Sequence, residues 1–69
     1  MNEDSLNIQI RQYLKKVGIT SQRTIEQAIQ KQIGSGQLTG TEQLSIKMTL
    51  SLPELDINQE INGEIKLAE

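Results

Sequence analysis

The apolar positions follow two different rhythms along the chain. Leu6, Ile10, Tyr13, Leu14 and Val17 recur every three or four residues, a spacing that gathers them on one side of a helix over residues 3–17. Asn2 is placed to cap its first turn, and Met1 and Leu6 occupy the positions of a hydrophobic staple. Glu3 and Asp4 suit the positive end of the helix, Lys15 and Lys16 the negative end. Gly18 then offers a left-handed stop. Thr20 or Ser21 opens a second helix over residues 21–33 with the narrow stripe Ile25, Ala28, Ile29 and Ile33, ended by Gly34-Ser35-Gly36.

Beyond Gly40 the period changes to two. Leu44, Ile46, Met48, Leu50 and Leu52 alternate with Ser45, Lys47, Thr49 and Ser51, the pattern of a half-buried strand over 44–52 that Pro53 ends. Asn62-Gly63 is a hairpin dipeptide, but a turn there would pair Ile61 with Glu64 and Glu60 with Ile65. A straight strand over 59–67 with its turn at 53–58 keeps one face apolar instead. It sets Leu50 opposite Ile61, Met48 opposite Gly63, Ile46 opposite Ile65 and Leu44 opposite Leu67, with Lys47 facing Glu64. Since a one-residue slip inverts every side chain, the straight strand is favoured. The expected fold is α+β, one domain over 1–69 in the order α-α-β-β, with two N-terminal helices packed on a C-terminal antiparallel β-hairpin.

Composition narrows the chemistry. The 69 residues include no Cys, no His and one aromatic, so the core material is aliphatic. Thiolate and imidazole metal sites, disulfides and histidine acid–base catalysis are excluded. The formal charge of −2 argues against a general binder of nucleic acid or anionic membranes. Charge divides along the chain: residues 1–33 carry five basic and three acidic groups, residues 34–69 two and six. The opening Met1-Asn2-Glu3-Asp4 is acidic where a signal peptide is basic, and no apolar run approaches a membrane span. A cytoplasmic location is expected.

No catalytic constellation can be named. Gly34, Gly36 and Gly40 have the wrong spacing for a dinucleotide-binding turn, and no phosphate-binding loop motif is present. Asp56, Asn58 and Glu60 alternate like the start of a calcium loop, but Ile61 and Leu67 stand where that loop needs Gly and Glu. Glu60 and Glu64 lie about 13 Å apart along a strand, too far for a glycosidase pair. No enzyme, cofactor, metal or small-molecule ligand is expected. Ile8 falls off the first stripe, and Leu55 and Ile57 fall in the expected turn. These three are the candidate partner surface of a small protein–protein interaction or self-association module.

Two resemblances bear on this reading. Gly18-Ile19-Thr20-Ser21-Gln22-Arg23-Thr24-Ile25, Ala28-Ile29 and Gly36-Gln37-Leu38 resemble the recognition-helix segment of winged helix-turn-helix domains over residues 18–38. That likeness implies an alternative in which Ser21, Gln22, Arg23 and Gln27 read the major groove of DNA. Only one helix precedes the segment where that family has two, and the wing-tip stretch 53–60 is acidic, so nucleic acid is not the favoured partner. More extensively, Met1-Asn2-Glu3-Asp4, Leu14-Lys15-Lys16-Val17-Gly18-Ile19-Thr20-Ser21-Gln22-Arg23, Lys47-Met48-Thr49-Leu50 and Gly63-Glu64-Ile65 resemble a family of short uncharacterised bacterial proteins of unknown function. That resemblance runs nearly end to end and implies a free-standing bacterial domain without assigning an activity.

Overall fold

The computed structural model describes residues 1–68. It contains one long helix, α1 (Glu3–Gly34), followed by strand β1 (Gln43–Leu52), a 3-10 turn (Pro53–Leu55) and strand β2 (Ile57–Lys66). The α+β class and the hairpin are as expected. The chain divides into two compact units, Met1–Gln37 and a second beginning at Leu38.

The two expected helices, 3–17 and 21–33, are one helix of 32 residues, about 48 Å long at 1.5 Å per residue. Gly18 does not stop it. A glycine inside a helix costs about 1 kcal/mol relative to alanine, whereas a break leaves up to four carbonyls and four N–H groups without helical partners. The apolar phase also runs through the glycine, with Val17, Ser21, Ile25 and Ile29 at steps of four and all half-buried. Thr20, expected as a cap, lies inside the helix, where its carbonyl accepts a hydrogen bond from Thr24 Oγ1 at 3.0 Å. This is the back-bonding by which a mid-helix threonine satisfies its hydroxyl.

The ends of α1 follow the local chemistry. Asn2 is the N-cap, its Oδ1 accepting from the Ser5 N–H at 3.1 Å, and Glu3 and Asp4 occupy the first turn. The expected staple is absent, since Met1 is 97% exposed. At the other end the Ser35 N–H returns to the Lys31 carbonyl, and Gly36 takes φ +84°. That left-handed conformation turns the chain out of the helix at little cost to a residue without Cβ.

In the hairpin, β2 runs straight through Asn62-Gly63, as the alternation requires. The register, however, differs by two residues from the expected one. Leu44 faces Ile65, Ile46 faces Gly63, Met48 faces Ile61, Leu50 faces Gln59 and Leu52 faces Ile57. An even slip leaves every side chain on its own face, so alternation alone does not discriminate between the two registers. The loop does. Pro53 enters a 3-10 turn, the Asp56 N–H bonds the Pro53 carbonyl at 3.2 Å, and Asp56 closes the loop with φ 54°. Aspartate is among the few non-glycine residues that tolerate this left-handed conformation. The shorter loop lets Ile57 join β2 opposite Leu52, where the expected strand began only at residue 59. Gly63 consequently sits against Ile46 instead of Met48, with Ile46 Cγ2 3.4 Å from where a Cβ on Gly63 would stand.

Candidate interaction surfaces

The hairpin separates its side chains completely by face. One face carries Leu44, Ile46, Met48, Leu50 and Leu52 from β1 with Ile57, Ile61 and Ile65 from β2, interrupted only by Gln59 and Gly63. The other carries Gln43, Ser45, Lys47, Thr49 and Ser51 opposite Lys66, Glu64, Asn62, Glu60 and Asn58. At about 3.4 Å per residue and 4.8 Å per strand, ten residues of two strands make an apolar face of roughly 330 Å² in projection. Among the described residues none is buried, and Ile61 remains 54% exposed.

The polar face is tied by diagonal contacts. Lys47 Nζ lies 3.3 Å from Glu60 Oε2, where the other register would have set it against Glu64. Gln43 Nε2 donates to Glu64 Oε2. Both partners of the ion pair are more than half exposed, so solvent screens the attraction and it holds register more than it adds stability.

Ahead of β1, Glu42 organises a tight loop that sequence patterning did not reveal. Its carboxylate accepts from the N–H groups of Thr39 (2.9 and 3.1 Å), Gly40 (3.0 Å) and Thr41 (3.2 Å). The Thr39 N–H above all holds its pKa down at about 2, against an ordinary 4.5, although partial desolvation acts in the opposite direction. Gly40, at φ +97°, provides the turn that aims these amides at one carboxylate. The readable signal was a Thr-Gly-Thr-Glu run between two periodic segments. With its oxygens committed to backbone donors, Glu42 is a structural anchor.

The residues singled out by sequence are dispersed. Ile8 is 55% exposed on α1, on the same side as Ile19 and roughly opposite the Leu6–Ile10–Val17 stripe at 100° per residue. Leu55, 66% exposed, sits in the hairpin loop. Ile57 is half-buried on the apolar face at the first pair of β2. Ser21, Gln22, Arg23 and Gln27 all lie within α1. The turn that a winged helix-turn-helix needs before its recognition helix is therefore missing, because residues 18–21 are helical. Asn58 and Glu60 share the polar hairpin face, and the described residues contain no group of three acidic side chains able to hold a metal ion. No described helix is long and apolar enough to cross a membrane.

No curated protein and no solved structure matches the chain. A family model does, described as a family of unknown function (DUF6494), and it matches residues 1–68. The near full-length likeness read from the sequence thus has its counterpart, and this chain belongs to the DUF6494 family.

Proposed function

We propose that this protein is a small non-catalytic module that works by burying apolar surface against another protein surface, first of all a second copy of itself. The observation that carries this reading is the hairpin face from Leu44 to Ile65, on which eight aliphatic side chains stand together and none is buried. A two-stranded hairpin is marginal by itself in water, and the largest contiguous apolar patch of a small protein, about 300–600 Å², is often functional. Ile57, one of these eight, carries the face up to the turn that holds Leu55. The absence of Cys and His from the sequence and the commitment of Glu42 to backbone amides favour a binding role over catalysis, and the cysteine-free composition suits the cytoplasm.

Sedimentation across about a hundredfold range of concentration tests the reading. The expected result is a mass above the 7.7 kDa of one chain, falling back toward it in Met48→Lys and Ile61→Lys. A single chain at every concentration, with the same thermal midpoint throughout, overturns it.

A further inference from the structure

Asn62-Gly63 has the composition of a tight turn, yet it stands inside β2 with the strand running straight through it. Of the four asparagines in the chain it alone precedes a glycine; Asn2, Asn7 and Asn58 precede Glu3, Ile8 and Gln59. We propose that Asn62 is a site of spontaneous deamidation that pairing with β1 holds shut. Opening of the hairpin is thereby converted into a lasting change of charge and backbone.

The chemistry belongs to the dipeptide. A base removes the Gly63 amide proton, and the Gly63 nitrogen attacks the side-chain carbonyl carbon of Asn62. The new bond joins that nitrogen to Cγ. The bond from Cγ to Nδ2 breaks, and Nδ2 takes up a proton and leaves as ammonia. Water then opens the cyclic imide at either carbonyl, giving aspartate or isoaspartate at position 62. Nothing is oxidised or reduced, and water is the only co-reactant. Glycine favours the closure because it has no Cβ to hinder the attack and its backbone leaves the extended form easily.

Three features of the hairpin close this route. The Leu67 N–H donates to the Glu42 carbonyl at 3.0 Å. Antiparallel strands exchange hydrogen bonds at alternate pairs, and the same parity makes Ile46 and Gly63 such a pair. The nitrogen that must attack therefore has its N–H committed to the Ile46 carbonyl. The second feature is the strand itself, which sends the Asn62 side chain out of the sheet while the Gly63 N–H lies in its plane. The third is packing: Ile46 Cγ2 stands 3.4 Å from where a Cβ on Gly63 would be, and ring closure lifts Gly63 away from it. Asn62 is exposed, so water and base reach its amide. Pairing withholds only the nucleophile.

The product disturbs the hairpin that produced it. Asn62 faces Lys47, with Glu60 and Glu64 two residues away on the same face. Aspartate at position 62 puts a third carboxylate around that lysine. Isoaspartate lengthens the main chain by one carbon before Gly63, so Glu64, Ile65 and Lys66 lose their places opposite β1.

Incubation of the full chain in mildly alkaline buffer, with and without urea, tests the proposal. Tryptic peptides spanning Met48–Lys66 are separated into their amide, aspartate and isoaspartate forms by mass spectrometry, and Asn58 in the same peptide is the internal control. Conversion is expected at Asn62 before Asn58, and at least about tenfold slower in the folded chain than in urea, because local opening must precede it. Asp56→Pro cannot adopt the φ of 54° that closes the loop, and should bring the rate without urea up toward the rate with it. If Asn62 is not the first to convert in urea, the site is wrong. Equal rates with and without urea, or an unchanged slow rate in Asp56→Pro, overturn the control by the hairpin.

Discussion

Helix α1 and the hairpin hide opposite kinds of information. In α1 each internal backbone hydrogen bond closes over four residues, so its shape depends on what any short window tolerates. In the hairpin Leu52 pairs with Ile57, five residues away, but Gln43 pairs with Lys66, twenty-three away. Alternation there is unambiguous, yet the partner of each residue is set by the loop at the far end. The helix is thus exposed to error at one weak residue, and the hairpin is exposed to error in its pairing as a whole. The first error inserts a boundary that was never present. The second moves every cross-strand neighbour while leaving both faces intact.

The largest expected effect breaks the helix side of this comparison. Gly18→Pro removes an internal N–H and clashes with the preceding turn, at a cost of about 3 kcal/mol in a helix interior. Far-ultraviolet circular dichroism and urea unfolding should show lost helicity and a lower midpoint. Unchanged helicity would mean that residues 18–21 form a turn after all, because a proline is harmless there.

An effect of pH sharpens the account of the chain just ahead of the hairpin. Glu42 has its carboxyl held at about 2 in the folded chain against an ordinary 4.5. The unfolded chain therefore takes up this proton first, and the loop's contribution is complete above about 4.5 and lost as pH falls through about 2. Carboxyl resonances followed by NMR should place Glu42 well below the other glutamates. Amide-exchange protection at Thr39, Gly40 and Thr41, taken against the intrinsic rates at the same pH, should fall toward low pH, and Glu42→Gln should remove that dependence. A titration of Glu42 near 4.5 would contradict the observed hydrogen bonding.

The smallest effect addresses register. A double-mutant cycle on Lys47 and Glu60 should give a coupling of about 0.2–1 kcal/mol, shrinking with added salt. The same cycle on Lys47 and Glu64 should give nearly none. The reverse ranking would return the hairpin to the register that pairs Met48 with Gly63.

Much of this was legible from residue patterns. Asn2 as a cap, Gly34-Ser35-Gly36 as the helix end, the straight passage of β2 through Asn62-Gly63 and the strict separation of hairpin faces all rest on local stereochemistry or on parity. Gly18 misled because a glycine followed by Ile-Thr-Ser satisfies every rule for a stop and a new cap, while its actual helical cost is only about 1 kcal/mol. Glu42 was overlooked because a carboxylate accepting from the amides just before it has no periodic signature. Ile8, Leu55 and Ile57 were selected as apolar residues out of pattern. Of these, Ile57 lies on the apolar hairpin face beside residues that fit the pattern.

By itself the sequence determined the α+β class, the amphipathic character of each element and the parity of both strands, because these depend on periods of 3.6 and 2 that a short window contains. The folded structure decided that one helix spans Glu3–Gly34, that Leu52 closes against Ile57, and that Glu42 gathers three amides. Each of those outcomes is a competition between alternatives separated by about a kilocalorie or by an even slip of register. Only loop closure and the complete set of hydrogen bonds, acting together, discriminate at that scale.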